Sequence, residues 1–87
     1  MLQYLLMCRS LTYAQRASRA LERIGITAVI TKVPKSITGQ GCNYCVKVSE
    51  KNLARSLSTL KDAELGPTRV FLVSHDGSVS EVPYGLS

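Results

Sequence analysis

Apolar and polar positions change period several times along the chain. Residues 2 to 8, LQYLLMC, form a short apolar run and read as a buried strand. The next stretch, TYAQRASRALERIG, switches to a helical period. Tyr13, Ala17, Ala20, Leu21 and Ile24 share one stripe, and Arg16, Arg19 and Arg23 share the opposite face. Ser10 or Thr12 can cap the start of this helix, and Gly25 can close its end. Residues 26 to 33, ITAVITKV, are rich in β-branched side chains and predict a second strand. PKSITGQG is punctuated by Pro and Gly and reads as a loop. NYCVKV, residues 43 to 48, alternates as a third strand should. Ser49 is placed to cap a second helix, whose core stripe is Leu53, Leu57 and Leu60 and whose end is near Ala63. Gly66 and Pro67 break the chain before a fourth strand, TRVFLVS. HDGS makes a tight turn into a short fifth strand, VSEV, paired with the fourth.

The order βαββαβ predicts an α+β fold of the ferredoxin-like, split βαβ kind, as one domain over residues 1–87. Right-handed crossovers leave a gap in each half that the other half's strand fills. The expected sheet is antiparallel, ordered 4-1-3-2, with both helices on one face and the fifth strand added beside the fourth. This topology sorts the chain ends. Cys8, Arg9, the start of the first helix and the 34–42 loop fall at one end of the sheet, with Cys42 and Cys45. The single histidine, His75, falls at the other.

Composition narrows the function classes. The net charge of +5 suits an anionic partner or plain solubility. No apolar run reaches membrane-spanning length, and the opening MLQYLLMCRS lacks the basic region of a secretory signal. A cytoplasmic location is the default expectation. Three cysteines are an odd, low count that argues against a disulfide framework.

The chemistry-bearing stretch is GQGCNYC. A thiolate near a helix N-terminus is stabilised, and Arg9, Arg16, Lys32 and Lys35 could add to the effect. Gly39 and Gly41 let the loop backbone approach closely and leave Cys42 uncrowded. Cys42 is the expected nucleophile, able to attack a sulfur or selenium donor and carry the atom. Strand parity puts Tyr44, Val46 and Val48 on one face and Cys45 with Lys47 on the other. Cys45 would be a resolving thiol or an auxiliary, and Cys8 reads as an inert core residue. Two unreactive thiols remain an alternative for Cys42 and Cys45. A zinc site on the pair is another, although structural zinc wants four ligands and a dimer would have to pool its cysteines. A thioredoxin-type couple is disfavoured because CVKV enters a strand, not a helix. The arginine stripe reads as a solvated face, since no aromatic ladder accompanies it and nucleic-acid binding is not expected. Asp76 and Gly77 are accounted for by turn chemistry. No phosphate loop, Ser-His-Asp set or dinucleotide fingerprint is visible, so a carrier or accessory role is expected before that of a stand-alone enzyme.

Several positions together resemble a family of small bacterial selenium/sulfur carrier-like proteins. They are Thr12, Ala17, Ala20, Leu21, Gly25 and Ile26 around the first helix, then Val33-Pro34, then a loop ending in Gly41-Cys42 before a strand. The resemblance covers residues 10 to 48 well and weakens through the second helix, with the tail after Gly66 outside it. It implies that Cys42 is the carrier residue; sulfur or selenium donor and acceptor proteins are the expected partners, and no cofactor is expected unless the cysteine pair holds zinc. Cys45 departs from the family pattern, in which Gly and apolar residues follow the loop cysteine.

The open face of the sheet should carry Leu5, Met7, Phe71 and Val73. A contiguous apolar patch of that kind predicts a homodimer through this face, unless the C-terminal YGLS folds over it.

Overall fold

The structure is a computed structural model and describes residues 2–33 and 43–83. Among these residues it is an α+β fold in which two helices accompany a five-stranded antiparallel sheet. The strands are β1 (Gln3–Cys8), β2 (Val29–Val33), β3 (Asn43–Ser49), β4 (Arg69–Val73) and β5 (Val79–Val82). Helix α1 (Leu11–Arg23) joins β1 to β2. A 3₁₀ turn (Glu50–Asn52) and helix α2 (Leu53–Asp62) join β3 to β4. The sheet order is β2-β3-β1-β4-β5, with every neighbouring pair antiparallel. Read from the other edge, the strands after β5 run 4-1-3-2. The arrangement is compatible with a ferredoxin-like fold and differs from the four-stranded form by the appended β5.

Local chemistry explains where each element stops. Ser10 is extended, and its hydroxyl accepts from the Tyr13 amide at 3.3 Å, capping α1. At the other end, Gly25 adopts φ +82°. Its amide donates to the Glu22 carbonyl and the Ile26 amide to the Leu21 carbonyl, both at 3.0 Å. This pair of bonds is a Schellman closure, and Leu21 and Ile26 both lie in the core beneath it. Helix α2 closes in the same way. The Glu64 amide donates to Lys61 and the Leu65 amide to Leu60, at 3.1 and 2.7 Å. Here the left-handed residue is Glu64, at φ 59°, not a glycine.

Two boundaries differ from the sequence expectation. The second strand begins at Val29, not Ile26. Residues 26 to 28 instead tie the end of α1 to the core: Ile26 and Ala28 are buried, and the Ser18 hydroxyl donates to the Ala28 carbonyl at 3.0 Å. Ser49 makes no side-chain cap, and the chain passes through the 3₁₀ turn before α2 begins at Leu53.

The main core lies between the helices and one sheet face. Leu6, Val46, Val48 and Val70 of the sheet meet Ala14, Ala17 and Leu21 of α1 and Leu60 of α2. Leu53 and Leu57 are only partly buried, whereas Ser56 is fully buried. The arginines of the α1 stripe are exposed.

The opposite face carries Leu5, Met7, Val33, Cys45 and Phe71, with Val73 and Val79 packed against them. The parity is as expected, but the exposure is not. Leu5, Met7 and Phe71 are 6%, 5% and 2% exposed within a single chain. The homodimer expected through this face therefore loses the exposed patch that motivated it. YGLS lies outside the described residues.

The β4–β5 edge is held by a hairpin and an ion pair. Ser74 and Ser78 pair across the loop, Gly77 takes φ +88°, and Asp76 Oδ1 accepts from the Ser78 amide at 2.9 Å. That bond holds the Asp76 carboxyl below its ordinary pKa. Arg69 grips Glu81 through Nη2–Oε1 at 2.6 Å and Nε–Oε2 at 3.0 Å, and its guanidinium lies 5.0 Å from the Phe71 ring centroid.

Candidate functional site

The sheet register fixes the cysteines relative to one another. Met7 is opposite Cys45, Cys8 is opposite Tyr44, and Val33 is opposite Asn43. Cys8, Cys45 and the N-terminus of α1 thus lie at one end of the sheet, and the β4–β5 turn with His75 lies at the other. Cys42 immediately precedes β3 and lies outside the described residues, as do Gly39, Gly41 and Lys35.

The two described cysteines share an end but not a face. Cys8 packs among the helix-side residues, and Cys45 packs on the opposite side with Leu5, Met7, Val33 and Phe71. Both are free thiols, and both are buried. Cys8 Sγ lies 3.5 Å from the Leu6 carbonyl, a contact that uses the protonated thiol as donor. Burial pushes the Cys8 thiol up to about 11. Cys45 is pushed up to about 12, first by burial and then by the nearby Cys8. A thiol held in its neutral form is a poor nucleophile, because the thiolate is the reacting species. Cys8 is therefore the core residue that the sequence suggested.

The expected cationic help is dispersed. Arg9 lies with its guanidinium 5.7 Å from the Tyr13 ring centroid, and Arg16 and Lys32 are exposed. Helix α1 has no acidic residue in its first turn, so nothing there offsets the partial positive charge of its N-terminus. Among the described residues, no three His, Cys, Asp or Glu side chains come together as a metal site. No helix among them is long and apolar enough to cross a membrane.

A family model described as "Putative Se/S carrier protein-like" matches residues 3–72. The chain belongs to this family. The match to the Se/S carrier-like family runs further than the residues that carried the resemblance. It takes in β1 from Gln3, both helices, and β4 as far as Leu72, well beyond Gly66. Only β5 among the sheet strands falls wholly outside it. No curated protein matches the chain significantly. No solved structure does so either.

Proposed function

We propose that this Se/S carrier-like chain holds a sulfur or selenium atom on Cys42 and passes it between a donor protein and an acceptor protein. Family membership over residues 3–72 carries the reading. The burial of the other two thiols supports it, since pKa values raised to about 11 and about 12 disfavour Cys8 and Cys45 as the groups that attack an external donor while the sheet is intact. In the loading step the Cys42 thiolate attacks the terminal sulfur of a donor persulfide. A new S–S bond forms on Cys42, the donor's S–S bond breaks, and its electron pair leaves on the donor thiolate. Unloading is the same exchange with an acceptor thiolate as the attacking group. Neither step changes the overall redox state.

Cys45 is the resolving thiol in this scheme. Its thiolate attacks the inner sulfur of the loaded Cys42, forms a Cys42–Cys45 disulfide and expels hydrosulfide. Buried as it is, Cys45 can do so only when the Asn43 end of β3 opens, so the loaded state is long-lived while the sheet is intact.

Mass spectrometry after exposure to a low-molecular-weight persulfide donor tests the reading. The expected adduct is one sulfur atom on Cys42, absent in Cys42→Ser and shorter-lived when mild denaturant frays the sheet. An unchanged adduct yield in Cys42→Ser would overturn it. Stoichiometric zinc in protein purified without chelator, lost in Cys42→Ser or Cys45→Ser, would assign the pair to metal binding instead.

A further inference from the structure

A cleft of about 470 Å³ lies at the end of the sheet remote from Cys45. That volume falls within the usual range of small-molecule sites. Its polar lining comes from four separate places in the chain. Gln3 opens β1, Thr27 lies between α1 and β2, Lys47 and Ser49 end β3, and Lys51 and Asn52 belong to the 3₁₀ turn. The Glu50 amide donates to the Leu2 carbonyl at 3.0 Å, which ties the 3₁₀ turn to the residue before β1.

The lining is chemically one-sided. It holds two ammonium groups and no carboxylate. Among the described residues the ion pair is Arg69 with Glu81, so neither Lys47 nor Lys51 is neutralised by a neighbour. Ser49 is also poised as a donor. Its Oγ accepts from Asn52 Nδ2 at 3.1 Å, a bond that uses an oxygen lone pair and leaves the hydroxyl hydrogen available to donate. Val29 supplies an apolar wall and is half exposed, unusual for a large apolar side chain in this protein.

We propose that this cleft binds a small phosphate-bearing organic molecule. The phosphate is held by Lys47, Lys51 and the Ser49 hydroxyl, and the organic body lies along Val29. Two lysines match the charge of a phosphomonoester, which approaches two negative charges near neutral pH, and lysine is a point-charge phosphate binder. A single carboxylate would leave one ammonium unmatched, and inorganic phosphate would leave Val29 without a contact. The site is independent of the carrier reading, because it uses neither Cys42 nor Cys45.

The test is an amide NMR titration of the full ¹⁵N-labelled chain with ribose 5-phosphate, inorganic phosphate, ribose and acetate. Saturable shifts at Thr27, Lys47, Ser49, Lys51 and Asn52 are expected with ribose 5-phosphate, weaker ones with inorganic phosphate, and none with ribose. The Lys47→Ala/Lys51→Ala double variant should weaken binding at least about tenfold with the rest of the spectrum unchanged. Cys42→Ser should bind as the parent does, which separates a failure here from a failure of the carrier reading. Three results would overturn the proposal: no saturable shift with either phosphate probe, acetate binding as tightly as ribose 5-phosphate, or a double variant that binds normally.

Discussion

An aromatic disulfide reagent applied to the intact chain should sort its three thiols by rate. For an unperturbed thiol, about a quarter is thiolate near pH 8. With its pKa raised to about 11, Cys8 is thiolate in roughly one molecule in a thousand. For Cys45, at about 12, the fraction is roughly one in ten thousand. A more basic thiolate is a better nucleophile once formed, which returns about one to one and a half decades. Ionisation alone then slows Cys8 roughly twentyfold and Cys45 roughly seventyfold relative to an ordinary thiol. Burial adds a further delay, because the reagent must reach sulfurs that the core encloses. The expected trace is one fast thiol and two slow ones, merging into a single fast phase in guanidinium. Cys42→Ser should remove the fast phase, and Cys45→Ala one of the slow ones. A fast phase that survives Cys42→Ser, or a Cys45 that reacts within about tenfold of Cys42, would refute the reasoning.

Alkaline pH should destabilise the fold through the same two thiols. Both hold their protons more tightly folded than unfolded, so stability present below pH 9 is lost as pH rises towards 11 and 12. The slope is about 1.4 kcal/mol per pH unit for each thiol, and denaturant melts of the Cys8→Ala/Cys45→Ala variant should show it flattened. Glu64→Gly should relieve a left-handed backbone at φ 59°. The gain is about 1 kcal/mol after the added flexibility of the unfolded chain, or roughly 4–8 °C in Tm by calorimetry. Ser56→Ala removes a buried hydroxyl that has no hydrogen-bond partner among the described residues, so the urea midpoint should rise by the equivalent of about 1 kcal/mol. A fall in that midpoint would mean that the hydroxyl is satisfied in solution.

Much of the fold was legible because period and punctuation agreed. Helix α1 has a clean apolar stripe, a serine before it and a glycine after it, and each does the expected work. Alternation along β3 correctly separated Cys45 from Val46 and Val48. The failures have physical causes. The end of α2 near Ala63 was read correctly, yet the left-handed turn that closes it is made by Glu64, whose type gives no such signal. Ser56 is polar and interrupts the leucine stripe, so its burial was invisible to a hydrophobicity pattern. The apolar character of the open face was readable, but its shielding within one chain is a tertiary property. Around the cysteines, parity could assign faces but not pKa values, which depend on how completely the core closes over each sulfur. The lysine-lined cleft joins residues 3, 27 and 47 to 52, too far apart in sequence to suggest a common site.

The position of β1 has a consequence for how the molecule can be made. It is the middle strand, and both its ladders run to strands synthesised long after it. Its own crossover partner β2 touches β3 instead. A nascent chain that has emerged only as far as Val33 therefore holds two strands with no ladder between them and a helix with no finished surface to lie on. Sheet assembly has to wait for the second half, and closure over such sequence separations places folding on the slower side for a domain this small. For the same reason, a break within residues 34–42 would yield two fragments of which neither contains a complete sheet. Their only route to the native state would be to find each other.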